Sequence, residues 1–314
     1  MTAAAPASLL DRARSGDRRA MGRVLSIVEN DEPGSADILR ETYPAAGRAV
    51  VVGVTGPPGG GKSTLVSRLV GAYRESGSRV AVVAVDPSSP FTGGAILGDR
   101  IRMQQRALDD GVFIRSMASR GHSGGLSRTT ARVVGVLDAL GTGVVIVETV
   151  GVGQEEVDVV RVADTVVLVT VPGLGDDIQA IKAGVLEIAD VLVVNKADRP
   201  GADETAKDLA QMLTLGKGRT PWKPPIVRTS ATTGEGLQDL VAAIAKHRAW
   251  SLESGEHARR REAAARAEVE AVLREALVRR LADRVGSERV DQVVARVASR
   301  DIDPYAAVEE LLSD

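Results

Sequence analysis

The segment Gly56-Pro57-Pro58-Gly59-Gly60-Gly61-Lys62-Ser63-Thr64 fits the pattern G-x-x-x-x-G-K-[ST]. The chemistry open to such a run is phosphate binding. Glycines let the backbone curl until its N–H groups, with those of the following helix start, surround an anion. Lys62 is then placed to reach the β- and γ-phosphates, and the Ser63 hydroxyl to bind Mg²⁺. An apolar run, Val50–Thr55, precedes the loop and a helical pattern follows it, which is the context the pattern requires.

A phosphate loop needs a second acid to hold its magnesium. The apolar run Val144–Val147 ends in Glu148, followed by Thr149-Val150-Gly151. Glu148 suits the metal shell and the Gly151 N–H suits sensing of the γ-phosphate, the arrangement of a switch. Read alone, an acid at a strand end also serves as a helix cap. Asp86 ends another apolar run and Asp99 lies in a glycine-rich stretch. Each fits a turn or cap as well as a nucleotide-gated switch beside Mg²⁺. Lys182, in the segment 172–182, is either a solvated helix charge or a switch contact. Val152 follows Gly151, where Ras-like GTPases place the Gln that orients water. This predicts slow intrinsic hydrolysis until a partner or a rearrangement supplies the missing group.

Base identity is written in Asn195-Lys196-Ala197-Asp198, an N-K-x-D pattern after the run Val191–Val194. The Asp198 carboxylate can accept from guanine N1–H and the 2-amino group. Adenine offers neither donor and would leave the acid unpaired. Lys196 lays its stem against the base and Asn195 ties the loops together. Thr229-Ser230-Ala231, after the strand pattern Ile226–Thr229, is placed to offer a backbone N–H to guanine O6. The expected ligands are GTP or GDP with Mg²⁺.

The chain of 314 residues has 40 basic and 42 acidic side chains, so it lacks the basic excess of a general nucleic-acid binder. With no cysteine, disulfides, zinc ribbons, iron–sulfur clusters and thiol catalysis are excluded. Three histidines, His122, His247 and His257, leave little for a transition-metal site. The N-terminal residues carry Asp and Arg where a signal peptide needs an apolar core, and no apolar run reaches the roughly 20 residues of a membrane span. A cytoplasmic protein is expected.

These residues need elements to hold them. Short runs apolar at nearly every position (50–55, 80–86, 112–116, 144–148, 165–171, 191–195 and 226–229) alternate with helical patterns at 62–76, 127–141, 178–190, 203–215 and 236–248. That alternation predicts an α/β fold with a mostly parallel sheet covered on both faces. Leu9, Leu10, Met21, Val24, Leu25 and Val28 predict a helix over 7–31, and another starts at Ser35. Val269, Leu273, Leu277, Leu281 and Val285 recur every four residues on a helix over 256–285. That stripe either packs back on its own domain or forms a dimer arm. Two shorter helices follow, the last opened by Asp303-Pro304.

Together, GPPGGGKST, VDPSSPFTGGAILGDRIRM, VETVGVGQEEVDV, PGLGDDIQAIKAG and NKAD resemble the methylmalonyl-CoA mutase-associated GTPase (MeaB/ArgK) family, from about residue 8 to the C-terminus. The resemblance implies a homodimeric G protein serving as chaperone to an adenosylcobalamin-dependent acyl-CoA mutase. Such a protein gates cofactor loading from an adenosyltransferase and protects or reactivates the mutase. By motif it assigns Lys62 and Ser63 to the phosphate loop, Asp86 and Asp99 to the metal and first switch, and Glu148 and Gly151 to the second switch. Lys182 falls in a further switch loop, and Asn195, Lys196 and Asp198 read the base. The C-terminal helices become the dimerisation arm. Glu148 replaces the usual switch Asp, as the family's own variant does, and the triple Gly59-Gly60-Gly61 is a mild departure. Methylmalonyl-CoA mutase is the favoured partner, with related acyl-CoA mutases as alternatives. A D-x-H-x-x-G cobalamin motif would need Asp before His122, but Arg120 stands there. Cobalamin therefore belongs on the partner.

The layout expected is a helical N-terminal extension (1–48), a P-loop GTPase domain (49–250) and a helical C-terminal arm (251–314). Competing readings are a nickel-enzyme metallochaperone GTPase, a kinase or ATPase associated with amino-acid transport, and a nucleotide-dependent scaffold. The absence of cysteine and of a His-rich tract argues against the first. No dedicated acceptor or base motif supports the second, and the switch acids speak against the third.

Overall fold

The computed structural model describes residues 6–87, 108–119, 125–149, 162–173, 186–215 and 221–313. The chain divides into two compact units between His257 and Ala258.

In the first unit the chain opens with α1 (Pro6–Arg14), α2 (Arg18–Glu29) and α3 (Ser35–Thr42). There follow β1 (Val50–Thr55), α4 (Lys62–Glu75), β2 (Val80–Pro87), β3 (Val112–Ser119), α5 (Gly125–Ala139), β4 (Val144–Thr149) and β5 (Thr165–Thr170). Last come β6 (Val191–Val194), α6 (Ala202–Leu215), β7 (Ile226–Arg228) and α7 (Leu237–Glu253). Among the described residues the strands form one sheet in the order β3-β2-β4-β1-β5-β6-β7, every pairing parallel. The α/β class expected from the sequence is the fold observed.

Strand periodicity sorts the core. Val51, Ala81, Val83, Val145 and Val147 face one way, into a cluster with Leu10, Met21, Leu25 and Ile38 of α1–α3 and Val133 and Leu137 of α5. Val52, Val54, Val82, Ile146, Val167 and Val169 face the other way, against Leu65 and Leu69 of α4 and Leu240 and Ile244 of α7. Central strands buried on both faces have no polar face to alternate with, which is why their runs read as continuously apolar. At the far side Leu168, Leu192 and Val194 pack with Leu209 of α6.

The N-terminal helices thus share the core of the sheet. Arg115 on β3 reaches α2, where it pairs with Glu29 and donates to the Ser26 hydroxyl at 3.1 Å. On α5 the Asp138 carboxylate accepts backbone N–H groups of Gly47, Arg48 and Ala49, the last at 3.0 Å, and so fixes the entry into β1.

The single helix expected over 7–31 is two helices. Gly16 takes φ 94°, a left-handed turn that a side chain disfavours. Asp17 then caps α2, accepting from the N–H groups of Arg19 (2.9 Å) and Ala20 (3.1 Å), while Arg12 Nε donates to it at 3.0 Å. The Ala20 N–H and the Arg12 guanidinium hold this carboxyl below its ordinary value. Of the helix expected over 178–190, residues 178–185 lie outside the described set, and Leu186–Ile188 is a 3₁₀ turn.

The second unit holds most of α8 (Glu256–Val285), with α9 (Ser287–Ala298) and α10 (Pro304–Ser313). Asp303 caps α10 through the N–H groups of Tyr305 (2.8 Å) and Ala306 (3.1 Å). Glu310 then accepts from Arg289 at 2.7 Å and Arg296 at 2.8 Å, tying α10 to α9. On α8 the stripe residues Val269, Leu273 and Leu277 are exposed, as are Val272 and Val278. No helix of the described residues is long and apolar enough to cross a membrane.

Candidate nucleotide site

In an all-parallel sheet the strands end on a common edge, and β1 lies between β4 and β5, where the connections reverse direction. Open α/β sheets bind ligands at such switch points. The loop Gly56–Gly61 leaves β1 there and passes into α4, with Gly61 as the residue before the helix.

Lys62 opens α4, buried, and its ammonium curls over the loop. Nζ donates to Gly56 O at 2.7 Å and Pro57 O at 3.0 Å. The next residue turns toward β4. Ser63 Oγ donates to Glu148 Oε1 at 2.6 Å, and both residues are buried. The sheet register accounts for the meeting, since Val54 of β1 pairs with Glu148 of β4 just before the loop departs. One residue on, Thr149 Oγ1 donates to Thr55 Oγ1 at 2.9 Å and clamps the two strand ends. A buried hydroxyl beside a carboxylate is a set of hard oxygen donors of the kind Mg²⁺ takes. Asp86 extends the same edge, its backbone paired with Ala118. Its side chain lies outside the description, as do Asp99, Gly151, Val152 and Lys182 altogether.

The base side is built on Asn195, 1% exposed at the end of β6. Its Nδ2 donates to Gly60 O at 2.9 Å, while Oδ1 accepts from Ala231 N and Thr229 Oγ1, each at 3.1 Å. One side chain therefore joins the phosphate loop to the loop after β7. Gly61 runs so close that a β-carbon there would stand 2.5 Å from Asn195 Nδ2. Lys196 takes φ 56° and its Nζ donates to Gly59 O at 2.8 Å. Asp198 is exposed; a hydrogen bond from the Ser230 hydroxyl holds its carboxyl below the ordinary value, so it is an anion at neutral pH.

The expectation of a spare N–H at 229–231 meets a different geometry. Thr229 N donates to Val194 O, Ser230 N to Glu235 O and Ala231 N to Asn195 Oδ1. Ser230 faces Asp198 with its hydroxyl instead. Sequence reasoning also missed Arg68 on α4, which donates from Nε to Ala231 O at 2.9 Å and from Nη2 to Thr232 O at 2.6 Å. No local pattern marks it, because its partners lie more than 160 residues away. Thr55 and Thr149 were equally silent, each reading as one more β-branched strand residue.

Asn195→Ala would strand the Gly60 carbonyl and the Ala231 N–H in a buried place. A loss of about 3 kcal/mol is expected, to be read as a lower denaturation midpoint at unchanged slope. An unchanged midpoint would show that the two loops hold together without this side chain.

A phosphate loop on the switch point of a parallel sheet, facing an N-K-x-D strand end, defines a P-loop GTPase. Similarity to known proteins narrows the class. The family described as methylmalonyl Co-A mutase-associated GTPase MeaB matches residues 21–285, and this chain belongs to it. A provisionally named GTPase of Pyrococcus horikoshii is 49% identical over 97% of this chain and 96% of its own length. The Mus musculus protein named methylmalonic aciduria type A homolog, mitochondrial, is 37% identical over 67% of this chain and 52% of its own. Among solved structures, one described as an LAO/AO transport system kinase aligns over 100% of this chain and 98% of its own, with TM-score 0.73 and 26% identity.

Proposed function

We propose that this GTPase is a Mg²⁺-dependent chaperone of an adenosylcobalamin-dependent acyl-CoA mutase, with methylmalonyl-CoA mutase the first candidate. The observation that carries the reading is the match over residues 21–285 to a family described by its association with that mutase. The name of the mouse relative agrees with it. The chaperone gates cofactor loading from an adenosyltransferase and protects or reactivates the mutase, taking GTP to GDP and phosphate as it cycles.

In this reading Lys62 turns from the loop carbonyls toward the β- and γ-phosphates. Ser63 and Glu148 hold Mg²⁺, with Asp86 and Asp99 serving the metal and the first switch. When bound, the ion would supply charge compensation for the phosphates. Gly151 reports the γ-phosphate through its N–H, and Lys182 passes nucleotide state to the mutase. Asp198 accepts from guanine N1–H and the 2-amino group, with Lys196 and the Ser230–Ala231 loop framing the base. The exposed apolar residues of α8 form the homodimer contact. The protein works in the cytoplasm, without nucleic acid or membrane.

The test is steady-state hydrolysis of GTP and ATP, alone and with purified methylmalonyl-CoA mutase. Slow GTP turnover that rises at least tenfold with the mutase, ATP remaining inert, is expected; a group supplied at an interface commonly contributes far more. GTP turnover indifferent to every acyl-CoA mutase tried would sink the chaperone role. Phosphate transferred to a protein instead of water would favour a kinase, the activity for which the similar LAO/AO transport system protein is named.

A further inference from the structure

The backbone of Ala231 is held on both sides of its α-carbon. Its N–H goes to Asn195 Oδ1 at 3.1 Å, and its carbonyl accepts from Arg68 Nε at 2.9 Å. The same guanidinium takes the next carbonyl, Thr232 O, at 2.6 Å. Arg68 rides on α4, the helix that begins with Lys62 and Ser63. Asn195 in turn is anchored to the phosphate loop at Gly60 O, 2.9 Å away. The loop after β7 is thereby tied to the phosphate machinery through the two peptide groups that flank the Ala231 α-carbon.

We infer that Arg68 is a positioning residue for base recognition, setting the planes of the two peptides that follow the Ala231 and Thr232 α-carbons and the height of the 230–232 loop over the base. This rests on the guanine reading of Asp198. The reasoning is geometric. Two parallel N–H donors of one planar guanidinium fix two successive carbonyls in angle as well as distance, which a lysine ammonium cannot do. Ser230, whose hydroxyl hydrogen-bonds Asp198, immediately precedes the first residue whose carbonyl is clamped. Loosening the clamp therefore disturbs the Asp198 carboxylate through Ser230 and leaves Lys62 and Ser63 in place. The arginine is exposed at the surface, so solvent partly replaces its bonds and the effect is moderate.

The experiment is equilibrium titration of GDP and ADP with Mg²⁺ into the full-length wild type, Arg68→Ala and Arg68→Lys, alongside thermal melts. For Arg68→Ala the GDP dissociation constant is expected to rise about tenfold, with little change for ADP, so that the preference for guanine narrows. Arg68→Lys should fall between the two, keeping the charge but not the fork. A GDP constant within twofold of wild type overturns the inference. So does a parallel weakening of GDP and ADP, the signature of a merely structural arginine. Should Arg68→Ala fail to melt cooperatively, the lysine variant decides by the same ratio. Equal affinity of the wild type for GDP and ADP would overturn the Asp198 reading itself, and the role of Arg68 with it. That outcome is read from the wild type alone.

Discussion

Asp198→Asn is expected to weaken GDP binding about 100-fold while giving the protein measurable affinity for xanthosine diphosphate. A carboxylate can take both guanine donors, N1–H and the 2-amino group. Two charge-assisted hydrogen bonds at about 1.5 kcal/mol each make roughly 3 kcal/mol, or two decades in the dissociation constant. An asparagine amide keeps one acceptor and adds a donor, which now opposes the guanine amino group. Xanthine carries an oxygen at that ring position and accepts the new donor. The substitution is mild for the fold because Asp198 is exposed and the amide oxygen can still accept from the Ser230 hydroxyl. Calorimetric titration with both nucleotides reads the switch. Unchanged GDP affinity would mean that Asp198 does not touch the base.

Gly56→Ala should abolish nucleotide binding and destabilise the protein by about 3 kcal/mol. At φ 135° the residue lies where L side chains rarely go, and a β-carbon would stand 2.0 Å from Val169 O and 3.0 Å from its carbonyl carbon. Those are main-chain atoms of β5, buried at the heart of the sheet, and they cannot swing aside as a side-chain tip would. Either the loop lifts away from β5 or the strand end shifts, and both displace Gly56 O, one of the two carbonyls that Lys62 grips. Gly59→Ala is the internal contrast. Its φ of 75° is also left-handed, but nothing lies within 4 Å of the added carbon. A loss of about 1 kcal/mol with nucleotide binding retained is expected there. Thermal melts and GDP titrations of the two variants compare them directly. Equal behaviour would show that crowding against β5 has no part in shaping the loop.

The sheet was readable because its central strands are apolar on both faces, and a run such as Val144–Val147 admits few other fates. The phosphate loop and the N-K-x-D strand end were readable because their chemistry is local in sequence. What joins them was only partly so. Asn195 belongs to a motif, and its bridging role could be expected; its partners Gly60 and Ala231 are set by how the distant loops fold together. Arg68, Thr55 and Thr149 make pairwise contacts between distant segments, and the identity of an arginine on a helix or a threonine in a strand does not say what it meets. The break between α1 and α2 is hidden in the sequence for a different reason. Apolar spacing continues across Ser15-Gly16-Asp17, while the break itself rests on the left-handed Gly16 and the Asp17 cap seen in the structure. The lesson at 229–231 is similar: the sequence locates a turn, but which N–H is already bonded depends on Glu235 and Val194, which close it.

The neighbours of β1 bear on how the chain acquires its shape as it leaves the ribosome. Val50 pairs with Val144, and Val52 with Thr165, so β1 has no strand partner until β4 and then β5 have been synthesised. Parallel pairings of this span are slow to close, because chain entropy is lost before any contact compensates for it. Gly60 waits longer still, for Asn195. The element encoded near the start of the polypeptide is consequently completed among the last, and for much of translation its apolar residues are without their partners. A nascent chain of this design relies on fast vectorial synthesis or on general folding helpers to keep β1 from pairing with the wrong strand.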